Sequence, residues 1–288
     1  MKGEIVSVQT KDGVGLDGLL VRPEGPSRLP VDIVIMHHGV GGRFYHSRVF
    51  DPQIGHLAEE GCAALCVNSR GHDVVYSNSD GRLLGAAYEV VDDCRYDWDA
   101  WISYAAGLGY QRIGLWGHSL GAVKTIYYMA VAGHSRVPCA IASSPPRQNY
   151  ETYLAQPPAE RELYLKDYEP AKKAMDEGDP ERLITTAYRR SMPFTARTFV
   201  DKYGPGARYD IVKHLPNVKI PLLVTLGGLE PIPENPGRVS HYETPDLMAR
   251  LTKERQNLSY AEIPGADHPY TGKAKELWDA VRGWYKGL

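Results

Sequence analysis

The stretch Arg112-Ile113-Gly114-Leu115-Trp116-Gly117-His118-Ser119-Leu120-Gly121-Ala122 constrains this chain more than any other. A short apolar run, suited to a buried strand, passes through Gly-x-Ser-x-Gly into residues patterned as a helix. A serine hydroxyl becomes a useful nucleophile only when it is held at an exposed point beside a base. A tight strand-to-helix turn achieves this by lifting Ser119 above a sheet edge in strained backbone geometry. Gly117 and Gly121 suit the close passage of the chain on either side of that turn. The helix that follows presents its free N–H groups and positive end where negative charge would develop.

The rest of the chain repeats the pattern of strand, loop and helix. Two short runs at 4–9 and 16–22 flank Lys11-Asp12-Gly13 as a hairpin. Apolar runs at 31–37, 62–67, 137–142, 220–226 and 258–263 read as further strands, with helices expected at 49–60, 88–108, 244–257 and 273–286. Apolar strands alternating with helices imply a largely parallel sheet covered on both faces. In such a sheet, sites form at the C-terminal strand edge. His38-Gly39, Ser119, Glu230 and His268 all fall in loops at that edge.

From about Pro146 to Lys213 helical stretches continue but no strand is expected. Seven of the chain's 19 tyrosines fall here. Tyrosine offers an apolar face and a hydroxyl, which suits a lid over a pocket; a helical excursion packed on the core is the alternative.

Composition narrows the partners. The 288 residues carry a net charge of −2 with no long single-sign run, which gives no electrostatic case for nucleic acid or a membrane surface. No apolar stretch approaches a membrane span, and the N-terminus has no signal-type apolar region, so a cytoplasmic location is expected. Cys62, Cys66, Cys94 and Cys139 sit in apolar segments without metal-ligand spacing and read as free buried thiols. No metal or cofactor is expected. The sequence does not specify the oligomeric state.

Taken together, His38-Gly39, Ser69-Arg70-Gly71-His72, Gly117-His118-Ser119-Leu120-Gly121, Gly227-Gly228-Leu229-Glu230-Pro231 and Gly265-Ala266-Asp267-His268 resemble the α/β-hydrolase family. The order serine, acid, histidine is the family's order. The resemblance implies an α/β fold with a mostly parallel eight-stranded sheet, helices on both faces and a helical lid inserted after the sixth strand. The core would be 1–145 and 214–288, and the lid 146–213. It also implies a catalytic set of Ser119, His268 and Glu230, with Glu234 and Asp267 as competitors for the acid. The backbone N–H groups of Val40 and Leu120 would form the oxyanion hole. Arg70 and His72 are expected to brace loops, His118 to pack beside the site, and His37 to be a satisfied core histidine. Trp98, Trp101, Trp278 and Trp284 are expected in the core, while Tyr45 and His46 are candidates for the pocket wall. The expected activity is cleavage of a small-molecule carboxylic ester through an acyl-enzyme. Amide, peptide, thioester or carbon–carbon hydrolysis, acyl transfer, and ligand binding on a retained scaffold are the alternatives.

Overall fold

The structure is a computed structural model in which residues 2–187, 192–231 and 244–288 are described. Eight strands form its sheet: β1 (Gly3–Gln9), β2 (Gly15–Val21), β3 (Ile33–His37), β4 (Ala63–Val67), β5 (Ile113–His118), β6 (Ala140–Ser143), β7 (Leu222–Gly227) and β8 (Leu258–Ile263). Their spatial order is β1-β2-β4-β3-β5-β6-β7-β8. The first hairpin is antiparallel, as is β2 with β4, and every other neighbouring pair is parallel.

Side-chain alternation assigns each strand residue to one of two cores. Ile33, Ile35 and Leu65 face a layer containing Trp98, Trp101 and Ile102 of α2 (Cys94–Gly107), Val123 and Ile126 of α3 (Leu120–Val131), and Met248 of a later helix at Thr244–Glu254. Val34, Met36, Ala64 and Cys66 face the opposite layer, where Phe50 and Leu57 of α1 (Phe50–Glu59) meet Leu277, Trp278 and Val281 of the last helix, Ala274–Tyr285. Both faces are covered, which explains why the central strands are apolar throughout.

Residues 146–213 carry the helices α4 (Tyr150–Leu154), α5 (Pro158–Asp176), α6 (Ala196–Tyr203) and α7 (Ile211–His214). This segment has an aromatic core of its own, built from Tyr153, Tyr164, Tyr168, Phe194, Phe199 and Tyr203. It also contains a two-stranded ribbon, Leu183–Thr185 against Pro193–Thr195, where no strand was expected. Three-residue strands are too short to show an alternating pattern.

Two further boundaries differ from expectation. The sixth strand starts at Ala140 rather than Val137; Pro138, with no N–H, cannot donate to a ladder. The helix expected from Tyr88 starts at Cys94, after a short 3-10 turn at Val91–Asp93, and Val90 is extended. Glu89 is drawn inward by Lys124 and Lys202, a tertiary ion pairing that overrides the local helical pattern. The four cysteines are free and buried, and burial pushes the Cys62 and Cys139 thiols up to about 12. No helix among the described residues is long and apolar enough to cross a membrane.

Candidate active site

Strand β5 ends at His118 and α3 begins at Leu120, leaving Ser119 alone on the turn with φ 57° and ψ −122°. Left-handed backbone is costly for a residue with a Cβ and persists where the surroundings enforce it. Here the enforcement is close packing. A Cβ on Gly117 would lie 2.1 Å from the Gly121 carbonyl oxygen, and one on Gly121 would lie 2.3 Å from that of His37. The Ser119 N–H donates to the Ser143 carbonyl at 2.9 Å, which ties the turn to the end of β6.

Three loops far apart in sequence bring their side chains to this turn. His268 Nε2 lies 2.9 Å from Ser119 Oγ. On its other side, His268 Nδ1 lies 2.5 Å from Glu230 Oε2. Glu230 is fully buried, and its Oε1 accepts from the Gly227 N–H at 2.8 Å and from the Ser144 hydroxyl at 2.5 Å. Asp267 turns away from this line, since its Oδ1 accepts the Thr271 N–H at 2.7 Å. Glu234, the other competitor, lies outside the described residues.

The loop after β3 runs alongside Ser119. A Cβ built on Gly39 would sit 2.9 Å from Ser119 Cβ. A turn closed by Gly42 N–H to Gly39 O at 3.1 Å, with Gly41 at φ 61°, places Val40 at its tip. Leu120 is the first residue of α3, so its N–H has no intrahelical acceptor. His38 braces this loop: its Nδ1 donates to the Gly39 carbonyl at 2.7 Å while its Nε2 accepts the Ser69 N–H at 3.1 Å. Burial, with the nearby Lys124 charge, brings the His38 pKa down to about 3 and keeps the ring neutral.

The remaining singled-out residues take structural positions. Arg70 is buried between Asp97 at 2.9 Å and Asp12 at 2.7 Å. His72 contacts Asp73 at 2.8 Å and stacks on Tyr76. His118 Nε2 donates to the His268 carbonyl at 2.8 Å. Trp98, Trp101 and Trp278 are buried, and Trp284 packs partly buried against the core. His37 is buried too, but only half satisfied: Nδ1 meets the His38 carbonyl at 3.0 Å, whereas Nε2 has no partner among the described residues.

A cavity of about 840 Å³ opens over Ser119 and His268. The loop after β3 contributes Val40, Arg43, His46 and Arg48 to its wall; Tyr45 is not part of it. Residues 146–213 contribute Ala159, Glu160, Leu163, Ala187, Met192, Phe194 and Tyr203.

Two buried polar groupings were not read from the sequence. One is charged: Glu89 contacts both Lys124 Nζ and Lys202 Nζ. The other is neutral: Ser143, Thr225, Tyr270 and Ser144 join hydroxyl to hydroxyl behind Glu230. Both link residues far apart in sequence, and no spacing rule could have found them.

Residues 34–280 match the alpha/beta hydrolase family, and the chain belongs to it. Among solved structures it is similar to the alpha/beta hydrolase GrgF from Penicillium sp. sh18, at 15% identity and a TM-score of 0.69, covering 99% of this chain and 98% of that one. It is similar to Est1E from Butyrivibrio proteoclasticus with ferulic acid bound, at 19% identity and a TM-score of 0.67, covering 97% of each chain. A third is the esterase Pf2001 from Pyrococcus furiosus, at 20% identity and a TM-score of 0.60, covering 99% of this chain and 91% of that one. No functionally curated protein matches the chain in sequence.

Proposed function

We propose that the protein hydrolyses a small-molecule carboxylic ester through an acyl-enzyme on Ser119. The observation that carries this is the unbroken contact line from Ser119 Oγ through His268 to buried Glu230. As Ser119 Oγ attacks the acyl carbon, its proton passes to His268 Nε2. Glu230 orients the imidazole through Nδ1 and balances the charge it gains. The carbonyl oxygen, now an anion, is held by the N–H groups of Val40 and Leu120. Collapse expels the alcohol with the proton from His268. Water, deprotonated by the same ring, then releases the acid. Beyond the substrate and one water, each of these steps draws on groups of the chain.

Residues 146–213 serve as a lid on the core formed by 1–145 and 214–288. Their apolar side chains Leu163, Met192 and Phe194 line one wall of the cavity, which suits an apolar or aromatic portion of the ester. Pf2001, which shares the fold, is an esterase, and this supports the ester reading.

Incubation with a fluorophosphonate followed by peptide mapping tests the assignment. Labelling at Ser119, lost in Ser119→Ala together with hydrolysis of p-nitrophenyl esters, is expected. A folded protein that hydrolyses these esters without labelling at Ser119 overturns it.

A further inference from the structure

We infer that Ser144 and Tyr270 are positioning residues for the reaction, the last two members of a one-directional hydroxyl chain that fixes the Glu230 carboxylate with Oε2 toward His268. The inference rests on the ester-hydrolase reading above and adds residues that this reading does not use.

Proton counting sets the direction of the chain. An ionised carboxylate only accepts hydrogen bonds. Ser144 Oγ lies 2.5 Å from Glu230 Oε1, so the single Ser144 hydroxyl proton is directed there. Tyr270 Oη, 2.9 Å from Ser144 Oγ, must then donate to it. Thr225 Oγ1, 2.9 Å from Tyr270 Oη, donates in turn to the tyrosine oxygen. Ser143 Oγ lies 2.9 Å from Thr225 Oγ1. Ser143 Oγ also accepts the indole N–H of Trp116 at 2.8 Å. With this polarity the donors run from Thr225 through Tyr270 and Ser144 to the carboxylate. Such aligned chains polarise one another in a low-dielectric interior.

Backbone strain points to the same place. Among the described residues only Asp73, Ser119, Ser144, Ala207 and Tyr270 are non-glycine residues with positive φ. Three of these five belong to this site. Ser144, at φ 52°, sits just past the end of β6, and its N–H donates to the Thr225 carbonyl at 2.8 Å. Tyr270, at φ 55°, lies two residues after His268. A turn could relax by placing glycine at either position; Ser144 instead carries a hydroxyl on the Glu230 carboxylate, and Tyr270 one on Ser144. Ser143, Ser144 and Thr225 are fully buried, and Tyr270 nearly so.

Among the described residues, the titratable groups facing the carboxylate are His268 and Tyr270, with Tyr260 of β8 further off and His118 packed behind the imidazole. Loss of the Ser144 donor removes stabilisation from the unprotonated Glu230–His268 pair more than from the pair carrying an added proton. The pair should then bind a proton more readily.

The test compares Ser144→Ala, Ser144→Gly and Tyr270→Phe with wild type, each first checked for folding by thermal melting. Both position-144 variants should lose about 10- to 100-fold in kcat with little change in KM, as expected when one hydrogen bond to a charged group is removed. The acid limb of the pH–rate profile should move to higher pH. Glycine relieves the strained φ that alanine keeps, so equal kinetic losses assign the effect to the hydroxyl. Tyr270→Phe should lose about 3- to 10-fold in the same direction. If Ser144→Ala does not fold, Ser144→Gly and Tyr270→Phe decide the matter. Wild-type kcat in these variants, or a loss equal at every pH with the limb unmoved, overturns the inference. If Ser119 still labels and Glu230→Gln is still slow, only the positioning role has failed. If Ser119 does not label and Glu230→Gln is as fast as wild type, the ester-hydrolase reading itself has failed.

Discussion

Two buried polar networks flank Ser119, and they are built on opposite principles. On one side, Glu89 bridges Lys124 of α3 and Lys202 of α6, the latter at 3.1 Å, with Lys124 Nζ also 3.2 Å from Ser69 Oγ. All three charged side chains are almost wholly removed from solvent. On the other side, the network is a row of neutral hydroxyls ending on a single carboxylate. The charged network spans the core, the loop after β4 and the 146–213 segment. It fixes large pieces against one another, and its energy depends on completeness, because a buried charge without its partner is strongly penalised. The hydroxyl chain fixes one side chain. Removing one member breaks neutral contacts and strands no charge, so it should appear in rate more than in stability.

That contrast can be broken by substitution. The largest effect expected is from Glu230→Gln. It should lower kcat/KM by about 10²- to 10⁴-fold, because the amide no longer balances the imidazolium, and should change the melting temperature little. An unchanged rate would remove Glu230 from the reaction. Next comes Glu89→Gln, which strands two buried ammonium groups. It should cost about 3–5 kcal/mol in urea unfolding, and a loss below about 1 kcal/mol would show that the cluster is not an energetic unit. Its pH dependence has a definite sign. Burial alone would raise the Glu89 carboxyl, but Lys124 and Lys202 outweigh burial and hold it far below the ordinary value of 4.5. The stabilisation is therefore complete above about pH 4.5 and lost as the pH falls. Wild type and Glu89→Gln should converge in stability on acidification.

Smaller is the effect expected from Lys202→Met. Burial lowers the Lys202 pKa against the pull of Glu89, and the cluster holds two cations for one anion. Removing Lys202 leaves a balanced pair, so the cost should be about 1 kcal/mol or less. A cost equal to that of Glu89→Gln would mean that both lysines are needed to hold the carboxylate. Thr225→Val should be the mildest, slowing the reaction no more than about 3-fold, since it cuts the chain one member further from the carboxylate. A loss larger than that of Ser144→Ala would reverse the order of the chain.

Much of the framework was legible because it is local. The apolar runs at 31–37 and 220–226, within which strands form from Ile33 and Leu222, the glycines around Ser119, and the positions of Glu230 and His268 just after strands all follow from short windows of sequence. The convergence of Ser119, Glu230 and His268 is also within reach of topology, because parallel strands deliver their following loops to one edge. The supporting groups are of another kind. Ser144 meets Glu230 86 positions away, and Lys202 meets Glu89 113 positions away. In sequence, a lysine in an amphipathic helix such as α6 reads as solvated, and only the packed structure reveals it as buried. The late start of α2 has the same origin, a side chain drawn inward by partners that the local window does not contain. The Ser143-Ser144 pair is equally inconspicuous in a short window, and Ser144 proves to be where the hydroxyl chain reaches Glu230.

The contacts of Gly121 have a consequence for how this molecule can change. A side chain there would strike the carbonyl oxygens of His37 and His38 at 2.3 and 2.5 Å, and main chain in the middle of a sheet has nowhere to retreat. The cavity wall formed by Ala159, Glu160 and Leu163, by contrast, is carried by a helix packed on an aromatic core of its own, and the Leu163 side chain is exposed. A random library selected on a new ester should therefore return variants written almost entirely in that wall. The elbow would come back as it went in, a fixed instrument whose repertoire is changed by refitting the chamber around it.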